Sequence, residues 1–464
     1  MNSINVNKNI INLEYAVRGP IPQRAAILKQ QGRKIIPCNI GNPQALGQKP
    51  LTYYREVLSL LEDPSLIQKT KAYQNNFVSN YSVEISEKLL AKLETGLGAY
   101  TDSKGQLFIR EAVANFINKR DNVDSNSKSQ FSNPDNIFLT DGASEGAKVV
   151  LELLITGKND GIMIPIPHYP LYSATIQRCG GTQINYHPDE ENDWALDKDI
   201  LNFSIKKAQK NGINVKAIVV INPANPTGAI LDKNSIIEVI EFAEENNLAI
   251  IADEVYQENL YGAEFISFAK AIGDRNITLF SLHSVSKGFY GECGQRGGYL
   301  EVRNPPELAN SSKKFIDLLF KLASVNLCSN TVGQILVYLL TSPPPNNSDA
   351  YHTFTVEKET ILNDLFNKAT IIKKSFQEME GVECFGRIGA MYLFPRLNIL
   401  PPNSTDFDYC MNLLEETGLC VVNGSGFGQK SGTHHLRIAF LPSKELLKSV
   451  LPKWIESHNK YVVK

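Results

Sequence analysis

The chain has 464 residues, with 47 basic residues against 49 acidic ones and apolar residues at 42%. That length implies at least two domains, and the apolar content is ample for a large core. A net charge of −2, with acids and bases interleaved, offers no strong field for nucleic acid or an anionic membrane.

The first twenty residues lack the apolar core of a signal peptide, and the longest apolar runs are strand-sized, far short of the roughly 20 residues a spanning helix needs. A cytoplasmic protein without membrane contact is expected. Seven cysteines are scattered between Cys38 and Cys420 with no CxxC and no zinc-like spacing, so they read as reduced core thiols, and no metal is expected. Asn310 and Asn403 open Asn-x-Ser/Thr triplets that carry little weight without a secretory signal.

In chain order, the first hundred residues are mixed and include "CNIGNPQALGQ", a strand breaking into a Gly/Pro turn. From about 100 to 300, short apolar strands alternate with amphipathic helices. "NIFLTDG" (136–142) is followed by a helix over 144–155. Then come "GIMIPIP", "KAIVVINPANPTG", a helix over 234–247, the strand "LAIIADEV" and the strand "ITLFSLHS". Near-continuous apolar strands imply burial on both faces, the mark of a mainly parallel sheet between helices. After about 325 a long helix (355–379) leads into "VECFGRIGAMYLFPRL", read as two strands around a Gly turn. A helix (406–418), the strands "CVVNG" and "HHLRIAF" and a last helix (443–459) complete a smaller α+β unit. The expected fold class is therefore α/β: a large domain with a mainly parallel sheet, and a smaller α+β domain.

The strand ends carry the chemistry. "VVINPANPTG" delivers Asn222 and Asn225, "IIADEVY" delivers Asp253 and Tyr256, "LFSLHSVSK" delivers Ser284 and Lys287, and "IFLTDGAS" ends at Ala143 and Ser144 as a helix starts. In open α/β sheets such ends converge on one rim. Each residue has a plainer reading as a cap or an Asx turn, but a set chosen for caps need not combine an amide, a carboxylate, a phenol and an amine. A helix N-terminus with Ser144, Ser284 and Arg296 suits a phosphate. A carboxylate suits a protonated ring nitrogen, a phenol and an amide suit a phenolate oxygen, and a lysine suits an aldehyde. Pyridoxal phosphate carries all four groups.

The run of motifs "EYAVRGPI", "NIGNPQALGQ", "LGAY", "LTDGAS", "YPLYSA", "INPANPTG", "ADEVYQ", "HSVSKG", "YGECGQRGGY" and "VNGSGFGQ" resembles the fold-type I, class I pyridoxal-phosphate aminotransferases, and most closely the alanine aminotransferase family. The resemblance implies that Lys287 is the Schiff-base lysine and proton shuttle. It implies that Asp253 pairs with the pyridine nitrogen, that Asn225 and Tyr256 bind the ring oxygen and that Tyr169 stacks on the ring. Ala143, Ser144, Ser284 and Arg296 match the phosphate cup. Tyr100 matches a tyrosine reaching the neighbouring subunit's phosphate, which implies a homodimer. Arg437 matches the arginine that grips the substrate α-carboxylate, and Gly41 matches a close backbone approach to substrate. The implied division is 1–99 (small-domain and dimer contacts), 100–325 (cofactor domain) and 326–464 (small domain).

The implied reaction transfers the amino group of L-alanine to 2-oxoglutarate, giving pyruvate and L-glutamate. Glutamate–glyoxylate or another specialised transamination is the alternative, followed by a lyase or condensing enzyme using the same cofactor. Asn423 stands where the family usually has proline, Ala224 where it has glycine and His168 where glutamine is common; Asn423 and His168 bear on the substrate pocket. "GSGFGQ" (424–429) has no helix after it, so it reads as a turn near the substrate and not as a dinucleotide loop. His434 and His435 precede Arg437 on an alternating strand and are not read as metal ligands.

Overall fold

A computed structural model describes residues 4–11, 13, 15, 19–72, 77–123, 130–309 and 311–463. Glu14 and 16–18 of the first motif, and Asn310, lie outside the described residues. Two compact units are distinguished: Met1–Gly47 with Leu151–Ile266 and Asp364–Lys464, and Gln48–Val150 with Ser267–Asn363.

In the first unit the strands Thr182–Tyr186, Asp160–Pro165, Asn214–Ile221 and Ala249–Asp253 lie side by side in that order, all parallel. The runs at 217–221 and 249–253 are buried throughout, as strands covered on both faces must be. Their crossover helices start where Asx caps place them: Asp197 accepts the Ile200 N–H before Lys198–Lys210, and Asp232 accepts the Ser235 N–H before Lys233–Glu245. The C-terminal part of this unit adds a three-stranded antiparallel sheet in which Leu436–Ala439 pairs with Tyr392–Leu393 on one side and Val422–Asn423 on the other. Helices Asp406–Thr417 and Lys444–Val462 complete it. The segment 382–397, expected as two strands, forms three. Val382–Glu383 pairs with Arg396–Leu397, while Tyr392–Leu393 pairs with Leu436–Ala439. Pro395 cannot donate to a ladder, so the second strand breaks there and its halves take different partners.

In the second unit, Gly298–Arg303 runs antiparallel to both Ile137–Thr140 and Leu279–Ser284. The parallel rule gives way here because 285–297 is a returning loop and not a crossover helix, so the next strand must run back. Its core joins Tyr54, Ile109 and Val113 to Leu139, Val285 and Ile335, all buried. Among the described residues no helix is long and apolar enough to cross a membrane.

Candidate active site

Lys287, Ser284, Arg296, Ala143, Ser144 and Tyr100 belong to the second unit. Thr140 and Ser284, the last residues of their strands, both pair with Gly298, so the two strand exits share one edge. A Cβ on Gly298 would lie 2.7 Å from Ala143 N and 2.8 Å from His283 O, so the backbones close up only around glycine. The chain then turns at Gly142 (φ 76°) and enters the helix Ala143–Leu154.

Arg296 lies against that helix start. Its Nη2 donates to Asp141 O at 2.7 Å and to Ser144 Oγ at 3.2 Å, and its Nη1 donates to Cys293 O at 2.9 Å. A Cβ on Gly142 would sit 2.5 Å from that Nη2. A cation, a hydroxyl and the free N–H groups of a helix end thus meet in one cup, an arrangement suited to a phosphate dianion. Ser284 Oγ lies 2.9 Å from Ser286 Oγ and accepts the Ser286 N–H at 3.0 Å.

Lys287 is half-buried on a turn stitched from both sides. Glu292 N donates to Val285 O at 2.9 Å, Cys293 Sγ to Ser286 O at 2.9 Å and Gly291 N to Lys287 O at 3.3 Å. The buried Glu292 carboxylate takes Arg55 Nη2 at 2.9 Å, fixing the far side of the turn. Tyr100, by contrast, is 78% exposed.

Asn225, Asp253, Tyr256, Tyr169, Gly41 and Arg437 belong to the first unit. Ile221 pairs with Asp253, and Asn222 N donates to Asp253 O at 3.0 Å, so the Asn225 turn and the Tyr256 turn leave one sheet edge together. The Asn222–Pro223 and Asn225–Pro226 bonds are cis. Asp253 is buried and its Oδ2 accepts the Tyr172 hydroxyl at 2.8 Å. Burial pushes the Tyr172 and Tyr256 hydroxyls well above the ordinary phenol range, so both stay protonated donors. Tyr169 opens the helix Pro170–Cys179, and its hydroxyl accepts that of Tyr15 at 3.1 Å.

Arg437 is 2% exposed. It donates to Asn225 Oδ1 at 3.0 Å and to Asn39 O at 2.6 Å, two residues before Gly41. Its guanidinium lies between the rings of Tyr392 and Phe427, 4.3 and 4.6 Å from their centroids. Among the described residues it pairs with no carboxylate, and its Nε is buried without a hydrogen-bond partner. A buried cation held by neutral oxygens and ring faces calls for an anion.

Tyr172, Tyr392, Asn39 and Tyr15 escaped the sequence reading as site residues. Tyr172 stands one helical turn beyond Tyr169, a signal that could have found it; Tyr392 sits in an apolar strand with no such mark. His435 is structural: it bonds Glu190 Oε1 at 2.9 Å and Gln429 Oε1 at 3.0 Å and stacks on Phe394. Asn423 Nδ2 donates to Ser425 Oγ at 2.6 Å, holding the 424–427 turn. Among the described residues no group of three or more His, Cys, Asp or Glu side chains could hold a metal.

In the second unit the anion cup at Arg296 suits the phosphate of pyridoxal phosphate. In the first unit the buried acid at Asp253, the protonated phenol at Tyr256 and the orphaned Nε of Arg437 suit its ring and the carboxylate of an α-amino acid. The sequence profile of the family described as "Aminotransferase class I and II" matches residues 73–451. The chain is 40% identical, over 99% of its own length and 89% of the relative's, to "Probable alanine aminotransferase, mitochondrial" of Dictyostelium discoideum. It is also 40% identical to "Glutamate--glyoxylate aminotransferase 2" of Arabidopsis thaliana, over 98% of this chain and 95% of that one. Among solved structures, an alanine aminotransferase from Pyrococcus furiosus superposes with a TM-score of 0.78 at 26% identity, covering 98% of this chain and 100% of that one. Pyridoxal phosphate is the cofactor of such enzymes, and this chain is a member of the class I and II aminotransferase family.

Proposed function

We propose that the chain transfers the amino group of L-alanine to 2-oxoglutarate, giving pyruvate and L-glutamate. The observation that carries this reading is Arg437, a buried guanidinium with only neutral oxygens and ring faces around it and no carboxylate among the described residues. A substrate as small as alanine offers little besides its α-carboxylate to bind. The Dictyostelium relative's name supports alanine as the donor.

When bound, pyridoxal phosphate supplies an aldehyde that takes up the amino group and a ring that delocalises the electron pair left at the substrate Cα. Lys287 would hold the aldehyde, and its free amine would move the proton on the substrate Cα. Asp253 would keep a proton on the ring nitrogen. Asn225 gives its Oδ1 to Arg437, which leaves its Nδ2 to donate to the ring oxygen beside the Tyr256 hydroxyl. Tyr169 would stack on the ring. Arg296, Ser284, Ser144 and the Ala143 N–H would hold the phosphate. Gly41 leaves room for the substrate beside Asn39.

A homodimer is part of this proposal, with Tyr100 reaching the neighbouring phosphate and residues 1–99 sharing small-domain and dimer contacts. The exposed apolar surface supports it: Tyr100 is 78%, Val325 83% and Leu327 52% exposed, and Ser103 Oγ donates to Leu327 O at 2.7 Å, tying the two segments together. We place the enzyme in the cytoplasm; the Dictyostelium relative's mitochondrial name makes that organelle the competing assignment.

The second reading, glutamate–glyoxylate transamination, is favoured by the Arabidopsis relative. Initial rates with alanine plus 2-oxoglutarate against glutamate plus glyoxylate decide between them. Enzyme given alanine and no 2-oxo acid should release one equivalent of pyruvate per site. Ammonia release in place of that single turnover would point to a lyase.

A further inference from the structure

Among the described residues Tyr392, which no sequence motif marked, touches both Arg437 and Tyr256. Its ring face lies 4.3 Å from the Arg437 guanidinium, its hydroxyl 3.3 Å from that of Tyr256, and the two phenol rings meet edge to face at 6.0 Å. The side chain is 2% exposed. Its backbone is fixed twice. Tyr392 pairs with Ala439, two residues past Arg437, and Gly228 (φ 72°), which closes the Asn225 turn, approaches so closely that a Cβ there would lie 2.5 Å from Tyr392 O. A phenylalanine would fill the same space and offer the same face to the cation, so packing does not account for the hydroxyl.

Tyr256 has a single O–H, and in the structure it points at Tyr392 Oη. To donate to an acceptor at the cofactor's ring oxygen it must turn that hydrogen away. Tyr392 then becomes the donor to Tyr256 Oη, and hydrogen bonds in such a chain polarise and strengthen one another.

We infer that Tyr392 is a positioning residue with two separable parts. Its ring holds the plane of Arg437 for the substrate carboxylate, and its hydroxyl reinforces the bond from Tyr256 to the ring oxygen. This rests on the roles proposed above for Arg437 and Tyr256. The ring oxygen is anionic when deprotonated, so weaker donor support keeps its shared proton to higher pH.

The test uses holoenzymes of the wild type, Tyr392→Phe, Tyr392→Leu and Arg437→Ala, with two readouts: the pH midpoint of the bound cofactor's visible absorbance without substrate, and KM for alanine. Tyr392→Phe should raise the midpoint by about 0.3 unit, for a chained bond strengthened by roughly a fifth, with KM unchanged. Tyr392→Leu should show the same shift and a KM raised about fivefold through loss of the ring face. An unmoved midpoint in Tyr392→Phe overturns the inference, as does an unchanged KM in Tyr392→Leu when Arg437→Ala raises it. An unchanged KM in Arg437→Ala instead overturns the assignment of Arg437, and this inference with it.

Discussion

The Arg437 guanidinium donates to Oδ1 of Asn225 at 3.0 Å, joining the strand Leu436–Ala439 to the turn that follows Asn214–Ile221. The same arginine spends its other Nη on a backbone carbonyl, so its remaining donor edge is what a carboxylate can use.

Arg437→Ala should therefore raise KM for alanine about 100-fold, the effect of losing two charge-assisted hydrogen bonds. Cofactor retention should stay at the wild-type level. Steady-state kinetics beside absorbance of the resting enzyme separate the two effects. A large loss of cofactor with KM unchanged would assign Arg437 to the cofactor instead.

Arg296→Gln should do the reverse. It removes the cation beside Ser144 and leaves the helix start in place, so the dissociation constant for pyridoxal phosphate should rise about 100-fold while KM for alanine in the saturated enzyme moves little. Equilibrium dialysis measures the first. Wild-type affinity in the variant would remove Arg296 from the cup.

His168 gives a pH signature in stability. Burial lowers its pKa from the usual 6.5 to about 4, and its only countering influence is a backbone hydrogen bond with Phe427. Between those values the unfolded chain binds a proton at this residue and the native chain does not, so stability is lost as pH falls from 6.5 toward 4. The loss is on the order of 3 kcal/mol at the low end. His168→Gln should flatten that part of the profile. Denaturant unfolding of both proteins across the window checks it, and parallel profiles would show that His168 ionises freely in the fold.

If the surface around Tyr100 joins two subunits, Val325→Glu should break the dimer, since it puts a charge on a residue that is 83% exposed in the isolated chain. Sedimentation should show a halved mass and activity should fall. Phe203→Glu, on a residue 73% exposed in the helix Lys198–Lys210, should leave the mass unchanged.

What the sequence disclosed and what it hid follow from one physical difference. Strands such as 217–221 and 249–253 are apolar throughout because both faces are buried, and the polar residues at their ends stand out against that background. Asp253, Asn225, Ser284 and Lys287 stood out as candidates for this reason. The candidate cup at Arg296 was read from the helix start after "IFLTDG" with Ser144 and Ser284, while the close approaches at Gly142 and Gly298 that shape it appear only in three dimensions. Tyr392 left none: an aromatic in an apolar strand reads as core, and its ring does pack there. Only the three-dimensional pairing with Ala439 brings its face to Arg437. The antiparallel strand Gly298–Arg303 was hidden at the end of a glycine-rich run that reads as loop. The three-way split of 382–397 depended on partners more than forty residues away in one case, which local pattern does not encode.

The most direct test concerns Lys287. Purified protein loaded with pyridoxal phosphate, reduced with borohydride and digested should carry one cofactor per chain on the peptide containing Lys287, and Lys287→Ala should carry none and turn over no alanine while keeping its fold. A label on a different lysine, or normal turnover by Lys287→Ala, would contradict the account.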